Sequence, residues 1–236
     1  MLINNDLMSN ILADIFEIFY PFECLSCGHL LPVKSRPLCF ACLSELPVTG
    51  FCNLQGNPVE IVFKGRLPLV AATSLLYFEK KGIVQQLIHS LKYDGQPEIG
   101  IFLGQWLGEE MSASGRFEGI DAVVPVPLHP RKERKRGYNQ VHLFARELAK
   151  QFNADFVPDL LAKSSHGETQ THKSRFDRVS ALSGAYALRP GHRPKGEHLL
   201  IVDDIITSGA TLESCCRPLM ENADVRMSVA SMAFTV

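Results

Sequence analysis

The sequence has almost no excess charge of either sign: 24 Lys and Arg stand against 25 Asp and Glu, a formal net charge of −1. No global field therefore points to a nucleic acid or a membrane as partner, and any such surface has to be local. No apolar run approaches the roughly 18 residues of a membrane span. The first 22 residues hold Asp6, Asp14 and Glu17 but no Lys or Arg, so the basic start of a secretory signal is missing. Internal repeats and low-complexity tracts are absent. Seven cysteines, four of them between Cys24 and Cys42, form an odd and uneven set that suits metal binding in a reducing compartment better than a disulfide framework. These absences lead us to expect a cytoplasmic protein without membrane insertion. With 236 residues and 46% hydrophobic composition, the chain is long enough for one α/β domain and a small appendage.

Ile11, Ile15, Ile18 and Phe19 recur at helical spacing, predicting a short opening helix. From Pro21 to Pro68 the texture changes to Cys, Gly and Pro with little periodicity, as in a metal-stapled module followed by a linker. We therefore expect residues 1–60 to hold the helix, the cysteine module and the linker, and residues 61–236 to form the main domain. Leu69 to Phe78 is β-like, and Val84, Leu87, Ile88 and Leu91 mark one helix face, as Leu103, Leu107 and Met111 mark another. Short apolar runs at Ala122 to Val126 and His198 to Val202 precede helical stretches at Asn139 to Gln151 and Ala210 to Met220, and Val225 to Val236 reads as a last strand. Such alternation favours a mostly parallel sheet flanked by helices, with ligands at the carboxyl ends of the strands.

The most informative stretch runs from Leu199 to Thr211, where a buried strand delivers Asp203 and Asp204 into a turn of Thr207, Ser208, Gly209, Ala210 and Thr211. A small, hydroxyl-rich turn at a helix N-terminus lets backbone N–H groups converge on a phosphate, and Gly209 permits close approach. Two carboxylates beside it accept hydrogen bonds from sugar hydroxyls, most readily when Mg²⁺ shares the ligand. The implied ligand is a phosphate next to a ribose; the same residues also read as an acidic helix cap. Cys24-x2-Cys27 and Cys39-x2-Cys42, separated by eleven residues, let four thiolates converge on one structural Zn²⁺ with no open position. Cys52, His29, Cys215 and Cys216 read as bystanders. Residues 131–136 place five basic side chains around Glu133 in a predicted loop suited to pyrophosphate or to DNA phosphates, with Arg131, Arg134 and Arg136 as candidates. Gly137, Asn139 and Gln140 read as turning and capping residues, and Lys92 as a cation at a helix C-terminus. Ser164 to Arg178 is polar and aperiodic and reads as a mobile lid carrying Lys173, Arg175 and Arg178.

The 199–211 segment resembles the phosphoribosyl pyrophosphate (PRPP) signature of the type I phosphoribosyltransferases. Val124-Pro125-Val126-Pro127-Leu128-His129 continuing to Arg136-Gly137-Tyr138-Asn139-Gln140, with Gln170, Ser174, Arg175, Arg178, Gly184 and Ala185, is similar to the competence protein F (ComF) subgroup. Lys173 and Ala181 depart from that subgroup's pattern, and Cys52 lacks the second cysteine of a third pair. The resemblance implies a type I phosphoribosyltransferase-like fold with a small N-terminal zinc module held by four cysteines. It gives Asp203 and Asp204 the ribose hydroxyls as a catalytic pair, Thr207 to Thr211 the 5′-phosphate, and the 131–136 segment the leaving pyrophosphate. It also implies Mg²⁺ with PRPP, transfer of a phosphoribosyl group to an acceptor it does not specify, and a context of DNA uptake with single-stranded DNA and uptake proteins as partners. A non-catalytic module binding single-stranded DNA or a partner protein on the same fold is the alternative.

Overall fold

The computed structural model describes residues 22–31, 36–163, 185–194, 198–222 and 224–235. The expected opening helix at 11–19 and the lid residues Lys173, Arg175 and Arg178 lie outside them. The chain divides into two compact units, Met1–Leu46 and Pro47–Val236.

In the smaller unit, the first cysteine pair sits on a tight turn. The Cys24 N–H donates to the His29 carbonyl at 2.8 Å and the Gly28 N–H returns to the Cys24 carbonyl at 2.9 Å. The second pair opens a short helix, α1 (Phe40–Ser44), with Cys39 at its N-cap and Cys42 buried within it. Starting a helix at Cys39 brings two cysteines three apart onto one turn, which is why the x2 spacing works.

The larger unit is built on a five-stranded sheet in the order β1, β7, β6, β2, β3, with every neighbouring pair parallel. Its strands are β1 (Leu69–Phe78), β2 (Ala122–Pro125), β3 (Asp155–Phe156), β6 (His198–Ile206) and β7 (Arg226–Thr235), while β4 (Leu161–Lys163) and β5 (Tyr186–Leu188) form a separate antiparallel pair. The helices are α2 (Pro58–Phe63), α3 (Ile83–Tyr93), α4 (Glu98–Ser114), α5 (Pro130–Arg136), α6 (Val141–Phe152) and α7 (Ala210–Asn222).

The strands are buried almost without interruption because both faces of the sheet are covered. Val124, Ile201 and Val229 pack into one core with Phe63 of α2 and with Leu212, Cys215 and Leu219 of α7. Val123, Leu200 and Ala230, their alternates in the pleat, are equally buried on the opposite face, where α6 runs along β2 and β6 and α4 along β1 and β7. The apolar stripes marked by Leu103, Leu107 and Met111 and by Phe144 and Leu148 are fully buried, as amphipathic helices on a sheet require.

Three local elements differ from the sequence expectation. Residues 130–136, expected as a loop, are helical: Pro130 opens α5 behind His129, whose Nδ1 accepts the Arg131 N–H at 3.2 Å, and Gly137 at φ 85° ends it. Residues 58–63, in a stretch without legible periodicity, also form a helix, capped by the Asn57 side chain on the Glu60 N–H at 3.1 Å. The pair β4–β5 is too short for a periodic signal; it brackets residues 164–184, with Lys163 opposite Tyr186.

Candidate functional site

The paired acids stand at the carboxyl end of β6, one position beyond the register pair Pro125–Val202 at which β2 stops. The Asp204 N–H donates to Asp203 Oδ1 at 2.8 Å, which fixes the two carboxylates relative to one another. Asp204 is buried, 8% exposed, and its Oδ2 is met by Lys92 Nζ at 2.8 Å and Gln140 Nε2 at 2.6 Å. These two donors hold the Asp204 side chain in one orientation. Among the described residues, no cation pairs with Asp203 in this way. Burial, reinforced by the adjacent Asp204 charge, pushes its carboxyl up to about 8, against the opposing pull of the Asp204 N–H, Lys92 and Lys163. The two neighbours thus sit in different environments, Asp204 paired with Lys92 and Gln140 and Asp203 raised first of all by burial.

Lys92 is indeed in the last turn of α3, as a C-terminal helix cation would be, but its ammonium reaches the acid pair. Gln140, read as a capping residue, also bonds Asp204; Asn139 does the capping, accepting the Val141 N–H at 3.1 Å and donating to the Val126 carbonyl at 3.0 Å. The sequence reading named both residues but gave neither a contact with the acid pair. Lys163 is a third contributor, on β4 with its ammonium 5.4 Å from the centre of the Tyr186 ring.

Beyond the acids, Thr207 and Ser208 are exposed, Gly209 is buried at φ 72°, and Ala210 and Thr211 begin α7. The Glu213 N–H donates to the Gly209 carbonyl at 2.9 Å, the first bond of that helix. The close approach that Gly209 permits is made in this structure by the protein itself: a Cβ there would lie 2.7 Å from carbons of both Phe63 and Val62. The hydroxyls of Thr207 and Ser208 stay on the solvent side, next to N–H groups that lack intrahelical partners by their position at a helix start.

Next to the acids, a cleft of about 310 Å³ is lined by Lys92, Tyr93, Gly95, Lys132, Lys135, Arg136 and Tyr138. Among the described residues, four cations and no carboxylate line it. Tyr93 is 67% exposed, with the Arg136 guanidinium 5.3 Å from its ring centre, and the Tyr138 hydroxyl donates to the Leu91 carbonyl. Of the three arginines singled out in the sequence, only Arg136 lines this cleft; on α5 it shares a face with Lys132 and Lys135, while Arg131 and Arg134 do not line it. The switch from loop to helix accounts for that sorting.

In the smaller unit the ligand atoms of Cys24, Cys27, Cys39 and Cys42 all lie within 4.8 Å of one another, with the Cys27 and Cys39 sulfurs 3.7 Å apart. Tetrahedral zinc thiolates stand about 3.8 Å apart, so this donor set fits a metal ion. Burial raises the Cys24 thiol, but the backbone amides of Cys27, Cys39 and Ser26 outweigh it and bring it down to about 6, while Cys27 and Cys42 are raised, with the neighbouring thiols among the causes. Cys52 contacts the Thr73 hydroxyl at 3.3 Å and is pushed up to about 11 by burial, and Cys215 and Cys216 are buried and raised. All three are inert core thiols.

Residues 142–235 match the phosphoribosyl transferase domain family. Competence protein F of Haemophilus influenzae is 24% identical over 217 residues, covering 85% of this chain and 92% of that protein. The chain is thus similar to competence protein F along most of its length and to the phosphoribosyl transferase domain over its C-terminal part. The chain is also 29% identical over 153 residues to the DNA utilization protein YhgH of Escherichia coli K12, covering 64% of this chain. The match spans 66% of that relative's length. Among solved structures, the glutamine PRPP amidotransferase from B. subtilis aligns with 18% identity and a TM-score of 0.41 over 61% of this chain and 30% of its own.

Proposed function

We propose that the carboxyl end of the sheet binds PRPP together with Mg²⁺, and that the arrangement serves transfer of the phosphoribosyl group to an acceptor nucleophile with release of pyrophosphate. The observation that carries this reading is the ordered pair Asp203–Asp204 leading directly into the Thr207–Thr211 turn at the start of α7. Asp203, which pairs with no cation among the described residues, accepts the ribose hydroxyls, while Asp204, held by Lys92 and Gln140, orients it through its backbone N–H. The turn's hydroxyls and N–H groups take the 5′-phosphate. Lys132, Lys135 and Arg136 draw charge off the departing pyrophosphate as the bond from C1 to its oxygen breaks and a bond from C1 to the acceptor forms, the acceptor's proton leaving to solvent. Mg²⁺ on the pyrophosphate would neutralise the same developing charge. Nothing in this scheme asks for a protein nucleophile: positioning and electrostatics do the work.

Calorimetric titration of PRPP with Mg²⁺ tests the reading against an Asp203→Asn, Asp204→Asn double variant. Saturable binding by the unmodified protein, lost in the variant, is the expected result; equal binding by both would remove the acid pair from the account.

A second reading has its own support in the cleft. Cations interleaved with an exposed Tyr93 are what single-stranded DNA needs, phosphates on the one and a base on the other. The names of the relatives, competence and DNA utilization, favour a setting in which imported DNA is handled. For the cysteine module we propose one structural Zn²⁺ and a docking role toward a protein or DNA partner. Metal analysis is expected to give one zinc per chain, and Cys27→Ser is expected to release it and unfold that module, whose small core cannot replace the metal.

A further inference from the structure

Arg66 lies between α2 and β1, 142 residues from the phosphate turn, yet its side chain is joined to that turn. Nη1 donates to the Ser208 carbonyl at 2.7 Å and to the Val62 carbonyl at 3.1 Å, and Nε donates to Glu213 Oε2 at 2.9 Å, with Nη2 paired to the same oxygen. One guanidinium therefore ties the turn to the first turn of α7 and to the segment behind both. Val62 and Phe63 from that segment occupy the space beside Gly209.

Two consequences follow from elementary geometry and charge. A trans peptide points its C=O and its N–H in opposite directions, so holding the Ser208 carbonyl toward Arg66 aims the Gly209 N–H away from it, out of the packed side of the turn. Glu213, a carboxylate in the first turn of a helix whose N-terminus would face a phosphate, is paired by Arg66 and by Arg217, the latter at 2.5 Å. Removing Arg66 leaves Arg217 as the remaining partner of Glu213, so the cluster close to where an anion would sit loses one positive charge.

We propose that Arg66 is a positioning residue for the phosphate turn, orienting its N–H groups by holding the Ser208 carbonyl and cancelling the Glu213 charge. The inference rests on the PRPP reading given above and extends it to a segment outside the signature.

Ribose 5-phosphate, titrated into the full-length protein and followed by hydrogen exchange over residues 205–213, tests it. Arg66→Gln is expected to weaken binding about tenfold and to speed exchange at Thr207 to Ala210 while β6 stays protected. Arg66→Lys, which keeps the charge on Glu213 but has no planar fork to hold the carbonyl as well, is expected to lose about threefold. Glu213→Gln in the Arg66→Gln background is expected to recover part of the loss, an effect a merely structural arginine would not produce. Unchanged affinity in Arg66→Gln and Arg66→Lys, with the unmodified protein binding, overturns the role of Arg66 alone. Absence of saturable binding by the unmodified protein overturns the PRPP reading and this inference with it.

Discussion

Two segments leave the carboxyl edge of the sheet side by side, one after β6 and one after β2, and they are held in opposite ways. The turn after β6 is backed by protein: Gly209 is buried against Val62 and Phe63, and the Ser208 carbonyl is taken by Arg66. The helix α5 after β2 has no buried residue, and its ends are marked by the His129 cap, Pro130 and Gly137. Arg136, the residue nearest that end, reaches inward to Gln140 and Tyr93. The difference separates two jobs. A backed turn offers a fixed set of donors and selects by shape, whereas an exposed cationic helix offers charge, which attracts many polyanions and is screened by salt.

Two glycines give the sharpest contrast. Gly209→Ala meets both a positive φ and side-chain carbons 2.7 Å from the new Cβ, and is expected to cost about 3 kcal/mol and to abolish PRPP binding. Gly137→Ala has an equally positive φ but nothing within 4 Å, so only the backbone term remains, about 1 kcal/mol. Urea unfolding of both variants checks the pair; equal losses would mean that the turn is not backed as described.

Next in size is the charged segment. Lys132→Ala with Lys135→Ala is expected to lower affinity for a single-stranded oligonucleotide about tenfold at low salt, with the gap closing as salt rises and with no change in thermal stability. Arg131→Ala with Arg134→Ala, on the face away from the cleft, is expected to do less. Filter binding across a salt series separates the two.

The smallest effect is the pH dependence. With Asp203 held up to about 8, deprotonation limits its ability to accept the ribose hydroxyls, so PRPP affinity is expected to rise about fivefold from pH 7 to pH 8 and to flatten in Asp203→Asn. Stability runs the other way. The folded chain keeps a proton on Asp203 that the unfolded chain has already lost, so this group's contribution is present below the unfolded value near 4 and is lost as pH rises through about 8. Asp203→Asn is expected to remove that decline in the ligand-free protein, which unfolding curves at pH 6 and pH 9 would register.

Much of this was legible in the sequence, for particular reasons. Strand β1 and the end of β6 announce themselves because parallel strands covered on both faces are continuous apolar runs, and the cysteine pairs because metal ligation depends on local spacing. Helix α5 hid behind its composition: seven residues dominated by charge carry no hydrophobic period, and only Pro130 at one end and Gly137 at the other mark it. The contacts of Lys92, Gln140 and Arg66 were hidden for a different reason. Gln140 meets Asp204 across 64 residues and Arg66 meets Ser208 across 142, and no local pattern encodes a partner made adjacent only by the order of strands in the sheet. The local environment then separates two acids that look identical in sequence: Asp204 is paired with Lys92 and Gln140, while burial raises Asp203.

The central claim is that the backed turn, and not the cationic helix, selects the ligand. A crystal structure of the full-length protein with PRPP and Mg²⁺ tests it most directly. The account predicts the 5′-phosphate against the N–H groups and hydroxyls of Thr207 to Thr211, with the ribose hydroxyls on Asp203 and the pyrophosphate toward Lys132, Lys135 and Arg136. Density for the ligand in the α5 cleft alone, with the turn and Asp203 unengaged, would contradict it.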